Sequence, residues 1–424
     1  MNIKSKTILS IAVSSLFALS ASSWAQDDNE ADDAAAKKEE EKLPLIYNEA
    51  TVGAYYLDQD SYRYGKYSGL KDKGWYALVD FRLAKRPVWN SGDTVRWRLQ
   101  GWRLGLESRR LLFDYNEQGK QKVRFDYRQI PNNRFSDGLT PYREENKGLW
   151  NLAPGWEVAP GSSNTRGFTN LEASLVNLKV DTNRRRMDLD YDRKLSSHWT
   201  LDIDLKNEVK TGTRTLGSIF GSSGGNPRGV ILPAPVDWTT NTAEAMFRYA
   251  SGTAQFGFGL YTSFFSNDTN SLTFQNAYGQ QSQWADSVEY PGAQGRFALE
   301  PDNSYVQFKA YGGISLTPSS QLTADISQGV MKQNDTLFPY SVNPNLVVYD
   351  PLPLQSLDAK VKTTMFNIRL TSQLARSLGL RVNYRYDDRN NNTPREVYPY
   401  IGADSQDQRP YEDGRINLPY SYNR

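Results

Sequence analysis

Two short rows of aspartates are the residues of this 424-residue chain whose type and spacing come closest to a chemical site. The rows comprise Asp188, Asp190 and Asp192 in one segment and Asp202 and Asp204 in the next. Carboxylate oxygens are the ligands that calcium takes in proteins. Side chains two residues apart on a strand lie roughly 7 Å apart, however, and Arg186 and Lys206 accompany the rows. We therefore favour a solvated, charged wall over a calcium site.

Acid–base or nucleophilic catalysis has almost no residues to draw on. The single histidine, His198, lies in a predicted tight turn beside Trp199, and the chain has no cysteine. The missing cysteines exclude thiolate nucleophiles, cysteine-ligated metal sites and covalent attachment of c-type haem. A hydrolase would need a serine–carboxylate arrangement, for which the sequence offers no candidate. We predict that the chain is not an enzyme and has no catalytic, metal-ligating or cofactor-binding residue.

Two segments rich in glycine or proline also lack the features of a ligand site. Gly221–Gly225 (GSSGG) has no Lys-Ser/Thr pair of the kind that a phosphate-binding loop carries. Val230–Val236 alternates prolines with small and apolar residues. We interpret both segments as loops, the second stiffened by its prolines.

The N-terminus predicts export from the cytoplasm. Lys4 and Lys6 precede a mostly apolar stretch, and Ser23-Trp24-Ala25 places small residues before a cleavage point. We predict a Sec signal peptide over residues 1–25 and an acidic, disordered periplasmic segment over residues 26–47. The formal net charge of +2 gives no basic footprint, so nucleic acid is not an expected partner.

Residues 48–424 show the pattern of membrane β-strands. In residues 74–83, Trp75, Val79 and Phe81 share one face and Asp80 lies on the other. Segments of about ten residues with this period suit one face to lipid and one to water. The 26 Tyr, 17 Phe and 10 Trp, many near segment ends, resemble interfacial girdles and favour a barrel over a soluble sandwich. We predict an all-β, antiparallel transmembrane barrel of the outer-membrane type.

Thirteen strands are predicted in this domain. They lie near residues 50–57, 74–83, 93–102, 107–115, 122–130, 185–194, 199–209, 240–249, 254–264, 304–316, 321–331, 361–373 and 378–387. From residue 122 onward short and long connections alternate, as periplasmic turns and external loops do. Leu171–Asp181 would break this alternation as a separate strand, so we assign it to a loop. Ile416–Arg424 resembles the opening of a further strand. Because bacterial barrels have an even strand number and paired edges, we expect an incomplete barrel.

The polar faces of these strands predict the wall of a lumen. The candidate lumen- or partner-facing residues are Arg96, Arg98, Arg124, Arg128, Asp188, Asp190, Asp192, Asp202 and Asp204. Their charges have both signs, and charge facing water avoids the cost of charge facing lipid. We expect this wall to face a water-filled space or a polar partner.

Seven segments carry a resemblance to a known family. They are Phe125–Tyr142, Gly217–Asp237, Ser263–Ala277, Phe338–Pro344, Ser356–Thr364, Tyr384–Arg395 and Ile416–Tyr422. Together they resemble the MtrB/PioB family of decahaem-associated outer-membrane proteins. Members of that family look like single-chain barrels of about 26 strands. The resemblance therefore implies that the chain covers an N-terminal half.

The resemblance also implies a function. The family's barrel surrounds a periplasmic multihaem (decahaem) c-type cytochrome, often against an extracellular multihaem cytochrome, so haem c belongs to the partner. A closed ring of about 26 strands has a backbone diameter of roughly 52 Å, whereas a ring of thirteen strands has one of only roughly 26 Å. We expect a sheath that positions a cytochrome for electron transfer across the outer membrane. A diffusion porin for small solutes is the alternative, because it uses the same alternation and a charged lumen.

Overall fold

The alternation of apolar and polar residues becomes strand structure over most of the chain. The computed structural model describes residues 48–88, 90–159, 165–223, 226–278, 294–342, 344, 348, 351–398 and 415–423. Its strands are β1 (Glu49–Leu57), β2 (Gly74–Lys85), β3 (Val95–Trp102), β4 (Arg110–Glu117), β5 (Gln121–Thr140), β6 (Tyr142–Asn146), β7 (Leu149–Leu152), β8 (Val176–Lys194), β9 (Trp199–Ser223), β10 (Asn226–Ala250), β11 (Ala254–Asn267), β12 (Ser271–Gln275), β13 (Gln294–Ala298), β14 (Asn303–Thr317), β15 (Ser320–Gln333), β16 (Ala359–Ala375), β17 (Leu378–Asn391), β18 (Val397–Tyr398), β19 (Arg415–Ile416) and β20 (Tyr422–Asn423). A 3-10 turn at Thr165–Gly167 and an α-helical turn at Leu171–Ser174 complete these ranges.

No helix in the described ranges is long and apolar enough to cross a membrane. The predicted signal peptide over residues 1–25 and acidic segment over residues 26–47 lie outside the described residues. Both therefore stay predictions.

Fourteen strands form one antiparallel sheet whose neighbours follow chain order. All thirteen predicted strands are confirmed as members of this sheet. The segment Ile416–Arg424 contributes β20, in which Tyr422 and Asn423 pair with Arg389 and Asp388 of β17. Among the described residues β1 has a strand on one side only, so the sheet is open, as expected for part of a barrel.

The assignment of Leu171–Asp181 to a loop is wrong for its second half. Leu171–Ser174 forms the helical turn, but β8 begins at Val176 and pairs with the end of β5 as far as Thr140. The segment lengthens an existing strand rather than adding one. The predicted alternation of short and long connections therefore holds. β8 has 19 residues, more than the roughly 9 to 11 that a strand needs to cross a bilayer.

The assignment of the glycine- and proline-rich segments to loops is also wrong where the structure describes them. β9 runs to Ser223 and β10 starts at Asn226, so most of both segments is strand. Beyond Trp238, β10 pairs with β9 alone, because the pairing of β11 with β10 ends there. Pro233 and Pro235 thus lie where one side of the strand has no neighbour in the main sheet, and proline is tolerated on such edges.

Apart from the two-residue connection between β9 and β10, the shortest connections lie at one end of the main sheet. Backbone hydrogen bonds join successive turns there, from Lys194 N to Lys120 O at 2.8 Å, from Ala250 N to His198 O at 2.9 Å, and from Gln373 N to Ser319 O at 2.8 Å. Short turns mark the periplasmic end of a bacterial barrel. The long connections, and the outer halves of β9 and β10, therefore lie at the external end.

One face of the sheet is apolar and exposed. Its side chains include Met187, Leu189, Leu205, Phe247, Phe258, Leu260, Phe308 and Val382. Near the periplasmic turns Trp199 packs against Tyr249 with ring centroids 5.3 Å apart, and Tyr249 stacks on Phe256 at 4.7 Å. Aromatic residues collect at membrane interfaces because their rings are amphipathic. This face is the lipid-facing surface.

A second sheet stands at the external end and packs on a buried hydrophobic core. Its order is β13-β12-β7-β6, and β12 pairs in parallel with β7 through Thr273–Leu149 and Phe274–Trp150. We call this sheet with its core the external cap. The core consists of Tyr142, Leu232, Ala234, Leu272, Phe274, Ala277, Tyr278 and Leu299. Burial raises the pKa of the Tyr142 hydroxyl, which donates a hydrogen bond of 2.9 Å to the Gln275 carbonyl.

The external cap lies on the inner side of the wall. Its core includes Leu232 and Ala234 of β10, which share the even-numbered face of that strand with Glu244 and Arg248. Alternate residues of a strand point to the same face. Because Phe247 lies on the opposite, lipid-facing side, the cap packs against the lumen side.

The connection between β1 and β2 covers an edge of β5. The pairing of β5 with β4 ends at Arg128, so the following residues of β5 have no β4 neighbour. There Asn133 N donates to Lys66 O at 2.9 Å, and Asn133 Nδ2 donates to Gly65 O at 2.9 Å. Lys71 Nζ lies 3.4 Å from Asn133 Oδ1 and 3.8 Å from a Glu107 oxygen. Burial alone would lower the pKa of Lys71, but Glu107 and the other groups nearby outweigh it and raise that pKa. Strand groups that would otherwise be unpaired are thus satisfied.

Candidate functional site

The sheet's register places the nine predicted wall residues on one face. Residues opposite one another in an antiparallel pair share a face. One lateral row reads Arg98, Asp114, Arg124, Asp190, Asp204 and Glu244 across β3, β4, β5, β8, β9 and β10. The next reads Arg96, Asn116, Lys122, Asp192 and Asp202. Arg128 and Asp188 lie on the same face in rows closer to the external end. This face is opposite the lipid-facing surface.

Arg128 and Asp188, the two candidates closer to the external end, belong to ion pairs around buried carboxylates. Asp126 is buried and accepts hydrogen bonds from Arg110 Nε at 2.9 Å and from Arg128 Nη2 at 2.7 Å. Asp188 is buried as well and accepts from Arg186 Nε at 2.7 Å. A buried carboxylate needs such partners to stay ionised. Arg128 and Asp188 therefore hold the wall together more than they face a partner.

The part of the wall on β2 to β5 is basic. A cleft of about 570 Å³ there is lined by seven cationic side chains, and its carboxylates are Asp114 and, on β8 at its edge, Asp190 and Asp192. Asp114 lies between two of these cations: Arg98 Nε donates to it at 3.1 Å, and Arg124 Nε lies 3.9 Å from it. Arg82, Arg96 and Lys122 are exposed and form no ion pair in the described ranges. This surface carries an excess of positive charge.

The part of the wall on β8 to β10 is acidic. Asp190, Asp204 and Glu244 lie directly opposite one another on three successive strands. Lys309 Nζ lies 3.0 Å from both Glu244 oxygens. Neither Asp190 nor Asp204 forms an ion pair with any residue that the structure describes. Like charges that face one another across strands destabilise a sheet, so this row costs the barrel stability.

Asp202 and Asp192 share a cation that the sequence analysis did not single out. Asp202 is buried and binds the guanidinium of Arg248, whose Nη2 lies 3.6 Å from Asp192. Glu244 and Arg248 lie on β10, and Lys309 lies on β14. The sequences of these strands contain no row of alternating like charges that would have drawn attention to them. Alternation along residues 240–249 would have placed Glu244 and Arg248 on the inner face. Their pairing depends on the register between strands.

The remaining sequence candidates lie apart from this wall. His198 is exposed in the turn between β8 and β9, and its Nδ1 lies 3.0 Å from the Ala250 carbonyl oxygen. Within the described ranges no group of three or more His, Cys, Asp or Glu side chains is arranged to hold a metal ion. The two aspartate rows are thus spread along the wall rather than gathered into a cation site.

Comparison with known sequences identifies the family. A sequence model of the outer membrane beta-barrel porin family MtrB/PioB matches residues 56–424. The chain belongs to the MtrB/PioB family. Outer membrane protein MtrB of Shewanella baltica (strain OS185) is 28% identical over 330 residues, which cover 77% of this chain and 43% of that protein. This MtrB/PioB chain therefore spans less than half the length of that relative.

Two solved outer-membrane proteins superpose weakly on this MtrB/PioB chain. OmpT of Vibrio cholerae is 12% identical, with 88% of this chain and 95% of that one covered and a TM-score of 0.29. A FadL homologue of Pseudomonas aeruginosa is 8% identical, with 84% and 83% covered and a TM-score of 0.24. Scores of this size do not establish a common arrangement of strands. The family itself assigns the chain to the outer membrane as a porin-like β-barrel, which is not a class of enzyme.

Proposed function

We propose that this MtrB/PioB chain forms part of the wall of a barrel that surrounds a periplasmic multihaem c-type cytochrome. The barrel holds that cytochrome across the outer membrane so that electrons pass through it. The inner wall carries the proposal, because its exposed charges of both signs suit the surface of a water-soluble protein. The chain's role is to insulate and to position.

The redox groups belong to the partner in this proposal. The chain has no cysteine and a single histidine, and covalent c-type haem needs a Cys-x-x-Cys-His motif. A bilayer core about 30 Å thick is a barrier to charge movement. Electrons therefore cross on the haems of the enclosed cytochrome, and an extracellular multihaem cytochrome at the external end is a further candidate partner.

A diffusion porin is the second candidate function. The clefts along the inner wall are polar and open, and a charged, water-filled lumen is what such porins use to select solutes. A sheath needs a wide ring filled by protein, whereas a diffusion porin leaves its lumen to water and small solutes.

Reconstitution distinguishes the two functions. The full-length protein that contains this segment is purified by affinity from a host that matures c-type cytochromes, and the eluate is stained for haem. The purified material is then placed in proteoliposomes loaded with a reduced dye, and an acceptor is added outside. If the protein is a sheath, the eluate contains a haem-staining partner, and the external acceptor oxidises the enclosed dye while the dye stays inside the vesicles. A barrel that lacks haem and passes sugars or ions freely contradicts the proposal and favours the porin.

A further inference from the structure

Near the periplasmic turns, most charges of the inner wall are segregated by sign around the barrel. The exceptions are Asp114, which lies between Arg98 and Arg124, and Arg248, which lies beside Asp192 and Asp202. We define the basic sector as Arg82, Arg96, Arg98, Lys122 and Arg124, on β2, β3 and β5. We define the acidic sector as Asp190, Asp192, Asp202, Asp204 and Glu244, on β8, β9 and β10. Apart from Arg82, which lies one row further out, the two sectors share the lateral rows nearest the periplasmic turns. They meet between β5 and β8.

The sectors do not neutralise each other where they meet. Arg124 is opposite Asp190 in the register, yet its guanidinium pairs with Asp114 at 3.9 Å on the other side. Lys122 is opposite Asp192, and that carboxylate has Arg248 of β10 at 3.6 Å. Among the described residues no ion pair joins the two sectors. Each sector thus keeps charge that is available to something in the lumen.

We infer that the wall docks its protein occupant in one rotational orientation, with an anionic face of the occupant on the basic sector and a cationic face on the acidic sector. This inference rests on the proposed function and names the chemistry of the partner's surface. Complementary charge on both sides fixes orientation, because turning the occupant would place like charges together.

A folded protein is the occupant that fits both sectors. Lipid lies against the other face, where Leu189 and Leu205 are exposed. A small anion suits the basic sector only, and a small cation suits the acidic sector only. From β3 to β9 four strand spacings give roughly 19 Å, which is well within one face of a folded protein. A small zwitterion reaches both sectors only where β5 meets β8, whereas an occupant of that size engages both sectors across their whole width.

Cross-linking tests the orientation directly. A photoreactive phenylalanine analogue replaces Arg96 or, separately, Asp204 in the full-length protein, which is purified with its cytochrome and irradiated. Peptides linked from position 96 are expected to come from one acidic patch of the partner, and those from position 204 from a separate basic patch. The same peptides at both positions, or peptides without the expected charge, overturn the inference.

Neutralised variants supply a second readout with a matched control. Arg96→Gln/Arg124→Gln and Asp190→Asn/Asp204→Asn are each expected to weaken cytochrome binding roughly tenfold at low salt, and less at high salt. Arg369→Gln/Arg381→Gln removes two exposed charges of the inner face outside both sectors, and little change is expected. If all three variants retain the cytochrome equally, the orientation inference fails and the sheath stands. If the unaltered protein binds no cytochrome, the proposed function fails first.

Discussion

Placing a charge on the lipid-facing surface tests the assignment of the two faces. Leu189 of β8 is 37% exposed and lies in the register between Phe125 of β5 and Leu205 of β9. It lies five positions before Lys194, the last residue of β8. At about 3.3 Å per residue and a tilt near 40°, this is about 13 Å above the periplasmic turn. An apolar band roughly 25 Å tall therefore has its middle at Leu189.

The expected cost follows from that depth. An arginine at the bilayer midplane costs about 2 to 4 kcal/mol when it faces lipid and far less when it faces the lumen. Leu189→Arg is compared with Gln307→Arg, whose side chain lies on the inner face in the row of Glu244 and Tyr261. Both are measured as free energies of unfolding by urea titration of the full-length protein in lipid vesicles. Equal losses for the two variants would refute the assignment of faces.

Four further outcomes are expected. Asn133→Ala removes one hydrogen bond to the Gly65 carbonyl and one to the Lys71 amine, and together these losses should cost about 1 to 3 kcal/mol; unchanged urea unfolding would contradict this. Gly148 has φ of 79°, and a Cβ there would lie 2.5 Å from the Ser271 carbonyl oxygen. Gly148→Ala should therefore make the external cap sensitive to protease without loss of the barrel's heat-modifiable gel shift, and an equally resistant cap would argue against that contact. Mass spectrometry of outer-membrane material should find a mature N-terminus at Gln26, and an intact Met1 would disprove cleavage. The chain separated from any partner under denaturing conditions should not stain for haem, and a stained band at its mass would contradict the proposed division of roles.

The main sheet could be predicted from the sequence because lipid imposes a strict period of two. Each stretch such as Trp75–Leu83 must put apolar side chains on one face to remain in the membrane. That demand is local, so it can be read one strand at a time. The same period predicts that Arg98, Arg124 and Asp190 lie on the polar face, without any knowledge of which strands pair.

The external cap could not be predicted in this way. Its pairing of Leu149 with Thr273 joins two loops that are distant in the chain, and no local period marks such a contact. The prolines of Val230–Val236 indicated a loop because proline is unfavourable inside a sheet. The segment is a strand because β10 has no second neighbour at its outer end, and that is a property of the sheet and not of the local sequence. Likewise, the opposition of Asp204 and Glu244 depends on register, which the sequence leaves undetermined.

The parallel pairing of β7 with β12 has a consequence for the order of assembly. Hairpins such as β8 with β9 close over a few residues. In contrast, β7 can pair with β12 only after β8 to β11, which lie between them in the chain, have been synthesised. Closing so long a loop carries a larger entropic cost, and contacts between distant segments slow folding. The cap is therefore a late step in biogenesis, and the nascent wall stays uncovered at its outer end until residues 271–275 join residues 149–152.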